Sequence, residues 1–410
     1  MADSEGASFE ALFCDLSALA AFGADEAGGI SRTAFSPSFM AAQAWLARRM
    51  AEAGLDVGID AAGNVIGRFG PPGPAVLCAS HIDTVPNGGP LDGALGVLAG
   101  LEAFRVLRSH GHDFARALEI VAFADEEGEF HSLFGSRAML GLLGPADIAT
   151  AQGGKGRSLV AALREAGLDP QRITAARRPH GDFHSYVELH IEQGPVLERL
   201  GIAVGIVTGI VGIEVTEFRF AGRPDHSGTT PRDVRHDAWR AAVEFCAACY
   251  RLADASDPAL RLNFGSLSLE PKALNVVPGK VRLRQELRHP DPAVLASVAA
   301  RTRAMAEDCG RRLGVEAEWT GVSRDEPASM DRDIRELLRA CADRRGIAVH
   351  DLPSGAGHDA QLFASVCPTA MLFVQSTGGR SHCPEESSPP EAVRQAVAVL
   401  TDGLGRLTGR

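Results

Sequence analysis

Six side chains in this chain have the types and spacing of a hydrolytic metal site: His81, Asp92, the adjacent pair Glu126-Glu127, His190 and His382. Imidazole and carboxylate are the ligands of catalytic divalent ions, and five ligands with one spare carboxylate suit two ions sharing a bridge. Asp92 follows His81 by eleven residues across a glycine-rich loop, which suits the bridging position. Glu127 is expected to bind one ion, with His190 and His382 completing the two shells. Glu126 is then free to take a proton from water, provided that a partly closed apolar site holds its pKa near working pH. Asp83, two residues beyond His81, is placed to orient that imidazole. A single histidine of this kind is more often structural. The joint occurrence with carboxylates at the ends of apolar runs argues the other way.

These residues need a scaffold that brings distant segments together. Ser36-Pro37 reads as a cap and first-turn proline opening a helix that Gly54 ends. Ala75 to Ser80 is a continuous apolar run and Leu118 to Ala124 is nearly one, with helical spacing between them from Gly93 to Leu107. Buried strands flanking a helix predict a largely parallel sheet covered on both faces. His81, Asp83 and Asp125-Glu126-Glu127 follow the C-terminal ends of those strands, where open α/β sheets bind ligands.

Another pattern occupies residues 212 to 320. A strand over Glu214–Phe220, a helix over Ala238–Leu252 and strands over Asn263–Leu269 and Val281–Arg288 come first. A helix over Pro292–Leu313 and a strand over Val315–Trp319 complete a split βαβ arrangement of ferredoxin-like type. The α/β pattern then resumes, with a helix over Asp331–Arg345, a strand over Thr369–Phe373 and a helix over Pro390–Leu407. The expected fold is therefore α/β, a mostly parallel-sheet catalytic domain for two metals interrupted by a smaller α+β lid. The expected boundaries are 1–211 and 327–410 for the catalytic domain and 212–326 for the insertion.

Composition agrees with a globular enzyme. The chain has 410 residues, 45% hydrophobic, with a formal net charge of −11 and a pI near 5.6. That charge argues against nucleic acid or an anionic membrane as partner. No apolar run is long enough to span a bilayer, and the start of the chain lacks the pattern of a signal peptide. Eight scattered cysteines make no disulfide framework, so a reduced, cytoplasmic protein is expected. Cys246 and Cys249 form a CxxC inside a helical pattern with no second ligand pair, which reads as core packing.

The motifs Ser80-His-Ile-Asp-Thr-Val-Pro-Asn-Gly-Gly89, Asp125-Glu-Glu-Gly128 and Glu188-Leu-His-Ile-Glu-Gln-Gly194 occur together with several others. His226-Ser-Gly-Thr-Thr-Pro231, Asn275-Val-Val-Pro-Gly279 and Ser354-Gly-Ala-Gly-His-Asp-Ala360 follow in order. With these, nearly the whole chain resembles the hydantoinase/carbamoylase family of amidohydrolases, within the dinuclear aminoacylase-like metallopeptidases. The resemblance implies the same ligands, Glu126 as general base, and two divalent ions per subunit, zinc or manganese, with cobalt or nickel compatible. It further implies that His226 donates to the developing oxyanion and that Asn275 and Arg288 hold the substrate carboxylate. Gln193 would contact the amide or ureido group, with Gly357 and Gly379 in loops bringing backbone near the substrate. A homodimer through the lid is implied as well.

The expected substrate is a small carboxylate, an N-carbamoyl-L-amino acid cleaved to amino acid, ammonia and carbon dioxide. Allantoate and 3-ureidopropionate are the nearest alternatives, an N-acyl amino acid is more remote, and a non-catalytic binder would have no use for Glu126. Ile213 stands where allantoate-cleaving members tend to carry glutamine. Ser227, Arg232, Glu286, Arg380 and Cys383 depart from the usual residues, and Arg232 and Arg380 bear on the charge of the pocket.

Overall fold

The computed structural model describes residues 2–410, with side chains from Glu10 onward except at Lys155. The chain divides into two compact units, one of Met1–Thr208 with Ser329–Arg410 and one of Gly209–Ala328.

In the first unit the capping signals act as their chemistry dictates. The Ser36 hydroxyl accepts from the Phe39 amide, opening helix Pro37–Ala53, and Gly54 closes it with φ 96°. The sheet runs in the order Asp56–Ile59, Val65–Phe69, Ala117–Phe123, Ala75–His81, Phe183–Ile191, Thr369–Val374, Val204–Ile210. Ala117–Phe123, Ala75–His81, Phe183–Ile191 and Thr369–Val374 pair in parallel, in register His81 to Phe123 and His190 to Phe373. Antiparallel strands flank this parallel centre on either side. Every residue of Ala75–His81 and Ala117–Phe123 is buried, as expected of strands covered on both faces. Glu119 interrupts the second of these apolar runs, and Arg68 at 2.6 Å and Arg178 at 2.7 Å neutralise it.

Helix Ala94–Ser109 packs on the sheet with Leu95, Leu98, Leu101 and Phe104 fully buried or nearly so. Each such side chain contributes roughly 1.5–3 kcal/mol of transfer free energy. Strand Val349–Ser354, half-exposed and carrying Asp351 and Pro353, lacks the apolar pattern that would have announced it.

The second unit holds strands Gly212–Ala221, Arg261–Glu270, Lys280–His289 and Glu316–Asp325, with helices Ala238–Asp254 and Pro292–Leu313. The sheet order is Glu316–Asp325, Gly212–Ala221, Lys280–His289, Arg261–Glu270, antiparallel throughout. Numbered along the chain that is 4-1-3-2, the ferredoxin-like order. Phe218, Phe220, Phe245 and Leu283 form its core. Cys249 is buried in that core with Cys246 packed against it, and burial pushes the two thiols up to about 12 and about 11. No helix among the described residues is long and apolar enough to cross a membrane.

Candidate active site

The C-terminal ends of the four parallel strands converge in the first unit. His81 is the last residue of its strand and His190 the penultimate residue of the next. Glu126 and Glu127 follow the third strand, and His382 lies beyond the fourth. Asp92 enters from the loop preceding helix Ala94–Ser109, where the helix N-terminus favours a carboxylate.

Asp92 is the hub. Its Oδ1 lies 3.0 Å from His190 Nε2 and 3.6 Å from His81 Nε2. Its Oδ2 lies 3.0 Å from His382 Nε2, which is itself 3.5 Å from Glu127 Oε1. Two ligand groups, His81-Asp92-His190 and Asp92-Glu127-His382, share Asp92 through different oxygens, and a third, His81-Glu126-Glu127, overlaps both. Glu126 stands beside them, its Oε2 3.6 Å from His81 Nε2.

The ring orientations are those of metal ligands. His81 Nδ1 meets the Asp83 carbonyl at 3.1 Å, and His190 Nδ1 meets the Ile191 carbonyl at 2.9 Å. A carbonyl only accepts, so each Nδ1 carries the proton and each Nε2 lone pair faces Asp92. A lone pair aimed at a carboxylate needs a cation or a proton between them. Ligands at 2.0–2.1 Å from a tetrahedral ion stand about 3.3 Å apart, and the nitrogen–oxygen separations of 3.0–3.6 Å suit that geometry. Glu127 Oε1 is buried without a hydrogen-bond partner among the described residues, as expected of a ligand oxygen. The donor set therefore fits two divalent ions.

Electrostatics leads to the same reading. Burial raises the Glu126 pKa well above the ordinary carboxylate range, despite the opposing field of His81, and brings Glu127 to about 7. Burial would lower His81, yet Glu126, Asp92 and Asp83 together raise it well above its usual value. For Asp92 burial acts upward and the three histidines prevail, holding it well below the usual range. Carboxylates and imidazoles compressed in this way are stabilised by added positive charge.

The main chain around the ligands is held in conformations that side chains rarely adopt. Asp125, Gln193 and His382 have φ of 55°, 58° and 56°. Such backbone persists where its surroundings over-determine it, and it clusters at functional sites. Gly93 has φ 62°, and a Cβ there would lie 2.3 Å from His81 Nε2, so no larger residue fits after Asp92.

Asp83 acts differently from expectation. Its main-chain carbonyl, rather than its carboxylate, orients His81, with carboxylate and ring 3.7 Å apart. The carboxylate accepts from the Glu126 and Glu127 amides at 3.3 and 3.1 Å, fixing the turn that presents both glutamates. Gln193 donates to Asp92 Oδ2 at 2.8 Å, while its buried Oε1 has no hydrogen-bond partner among the described residues. A Cβ at Gly379 would meet Pro195 N at 2.7 Å, whereas one at Gly357 would find only Gln361 Oε1 at 3.6 Å. Gly379 is therefore required by its own neighbours, and no close approach within the structure demands glycine at 357. Arg380 is paired with exposed Glu385 at 2.9 Å.

His226, Asn275 and Arg288 belong to the second unit. His226 and Val276 form a bridge, with the Ser227 amide donating to the Asn275 carbonyl at 3.0 Å, so His226 and Asn275 are neighbours. His226 Nδ1 accepts from the Gly228 and Thr229 amides, which leaves Nε2 as the donor. Arg288 stands opposite Ile213 in the sheet and donates to Glu286 at 2.8 Å.

Three supporting residues escaped the sequence reading. Glu386 and Ser381 contact the Asp92 segment. Glu188 accepts from Ser80, Tyr186 and the Ala360 amide behind His190. Strand alternation did carry a signal for Glu188, since Tyr186, Glu188 and His190 share a face. Glu188, His190 and His358 also cluster, but His358 Nε2 is engaged by Ser354 at 2.8 Å and Glu188 by its three donors, which makes them polar packing behind the ligands.

A sequence profile of peptidase family M20/M25/M40 matches residues 77–405. An N-carbamoyl-L-amino acid amidohydrolase of Geobacillus stearothermophilus is 37% identical over 95% of this chain and 96% of its own. An allantoate amidohydrolase of Escherichia coli (strain K12) is 36% identical over 93% and 94%. The crystal structure of a hydantoinase/carbamoylase family amidase from Burkholderia multivorans superposes with TM-score 0.88 at 31% identity, covering 98% of both chains.

Proposed function

The chain belongs to peptidase family M20/M25/M40, and from that premise we propose a metal-dependent amidohydrolase that cleaves the ureido C–N bond of N-carbamoyl-L-amino acids. The observation that carries the reading is Asp92 offering one oxygen to His81 and His190 and the other to His382, with Glu126 left over. Divalent ions bound there supply Lewis-acid polarisation of the ureido carbonyl and activation of water.

The chain's own groups do the rest. Glu126, its amide held by Asp83 and its carboxyl pushed up by burial, accepts a proton from the attacking water and returns it to the leaving nitrogen. His226, a donor through Nε2, is assigned to the developing oxyanion, where one preorganised donor is worth about 3 kcal/mol of barrier. Asn275 and Arg288 are assigned to the substrate carboxylate, and Gln193, Gly357 and Gly379 to the ureido end.

Ile213 directly opposite Arg288 favours an apolar side chain beside the bound carboxylate, and so a carbamoyl amino acid over allantoate. Zinc or manganese is the ion we favour. For assembly we favour a homodimer through the second unit, which exposes Leu267, Leu274, Trp319 and Val322.

The test is ammonia release by protein loaded with manganese, cobalt or zinc. Substrates are N-carbamoyl-L-amino acids, their D-enantiomers, allantoate and 3-ureidopropionate, with N-acetyl amino acids followed by amine formation. Turnover of the L-carbamoyl compounds supports the reading. Turnover of allantoate alone reassigns the substrate, and turnover of none overturns it.

A further inference from the structure

The Asp92 and His382 segments are joined by a carboxylate that is neither a ligand nor a base in the reading above. Glu386 is 3% exposed. Its Oε1 accepts from the Leu91 amide at 2.8 Å and from the Asp92 amide at 3.0 Å. Its Oε2 lies 2.8 Å from the Ser381 hydroxyl, which in turn lies 3.0 Å from Asp92 Oδ2. One side chain thus holds the main chain of the hub residue and, through Ser381, the residue adjoining His382. The surroundings are cut to fit it, since a Cβ on Gly89 would lie 2.3 Å from the Glu386 carboxylate. The left-handed backbone of His382, φ 56°, is the kind of conformation that needs such a restraint.

We propose that Glu386 is a positioning residue that clasps the Asp92 and His382 loops together and sets the spacing of the Asp92-Glu127-His382 metal position. The inference rests on the two-metal reading. It divides the two ligand groups by mechanism. His81 and His190 sit on adjacent parallel strands and need no clasp, because sheet register fixes their distance. His382 sits in a loop eight residues past its strand, where the side chains that tie it to the Asp92 segment include Glu386, Ser381 and Gln193. Removing Glu386 therefore weakens the His382 position more than the other, which shares Asp92 but keeps two ligands fixed by the sheet.

The test uses the full chain stripped with chelator and titrated with cobalt(II), read by stoichiometry after gel filtration, visible absorption and calorimetry. In E386A the second ion is expected to bind about 10–100-fold more weakly than in the parent, with the first weakened clearly less. E386Q retains an oxygen for both amides and an amide group facing Ser381, and is expected to restore two-ion binding. S381A keeps the amide contacts and loses the link to the 381–386 loop, and an intermediate weakening of the second ion is expected even where E386A does not fold. Two tightly bound ions with parental absorption in E386A or S381A would overturn the proposal, as would E386Q losing the ion as fully as E386A. Equal weakening of both ions would also overturn it, because the effect would then run through the shared Asp92 or through general destabilisation and not through the His382 loop. A parent protein that takes up no ion would overturn the two-metal reading itself, an outcome visible before any variant is made.

Discussion

The ligand cluster of the first unit and the polar set of the second are built on opposite principles. His81, Asp92, Glu126 and His190 are buried, and their rings and amides are held by main-chain carbonyls and by other carboxylates. Arg288 is partly covered and donates to Glu286 two residues away, and His226 is exposed and accepts from the Gly228 and Thr229 amides. The buried cluster keeps charges fixed at short range in a low-dielectric setting, so small changes there are costly. A partly exposed arginine in water-like surroundings contributes less and is tolerant of change. The chemistry should therefore fail abruptly with changes in the first region and grade smoothly with changes in the second.

The largest expected effect comes from E126Q. Turnover should fall by about 10²–10⁴-fold while both ions stay bound, measured by steady-state kinetics with metal analysis. Equal loss of metal and activity would instead exchange the roles of Glu126 and Glu127. G93A should come next, because its Cβ would run into His81 Nε2 and the strained φ would be harder for alanine. Its affinity for metal should drop about 10–100-fold, read by competition with a chelating dye, and unchanged affinity would show that the loop is softer than the structure implies. In the second region, R288A should raise KM for carboxylate substrates about 10-fold with little change in kcat, as loss of one charge-assisted contact predicts. An unchanged KM would remove Arg288 from the substrate site.

The smallest effect sharpens the contrast through pH. Asp125 and Asp359 are raised by burial to about 8, and Glu127 to about 7. Their unfolded values lie near 4, so between about pH 4 and 8 the folded metal-free chain binds more protons than the unfolded one. Its stability should fall as pH rises through that window. The histidines His81, His190 and His382, raised in the fold, act in the same direction above their ordinary value. Asp92, lowered, loses its contribution only as pH falls below the ordinary carboxylate range. Metal-free protein should therefore melt a few degrees lower at pH 8 than at pH 6, and added metal should raise Tm more at pH 8. A metal-free Tm that rises with pH would show that these carboxylates are not packed as described.

Much of this was legible in the chain, for identifiable reasons. Apolar runs over Ala75–Ser80 and Leu118–Ala124 announced strands covered on both faces, and Ser36 and Gly54 announced both ends of a helix. The alternation over residues 212–320 announced the ferredoxin-like unit. Local patterns of this sort follow from side-chain periodicity and turn chemistry, which act over a few residues. His81, Asp92, Glu127, His190 and His382, with Glu126 beside them, had the residue types of a metal site in the sequence, and the structure brings the six together.

Other features were decided only when the chain closed on itself. Which oxygen of Asp92 faces which histidine depends on three segments meeting, the last of them 290 residues beyond Asp92. The redirection of the Asp83 carboxylate to the Glu126 and Glu127 amides depends on the parallel register of two strands. Glu386, in a run of polar residues after Cys383-Pro384, has the sequence setting of an ordinary surface acid. Burial and two amides from residues 91 and 92 make it part of the site. Residue types determine which chemistry a chain can offer, whereas hydrogen-bond partners and desolvation are properties of the space between distant segments, set by the packing of the sheet and its loops.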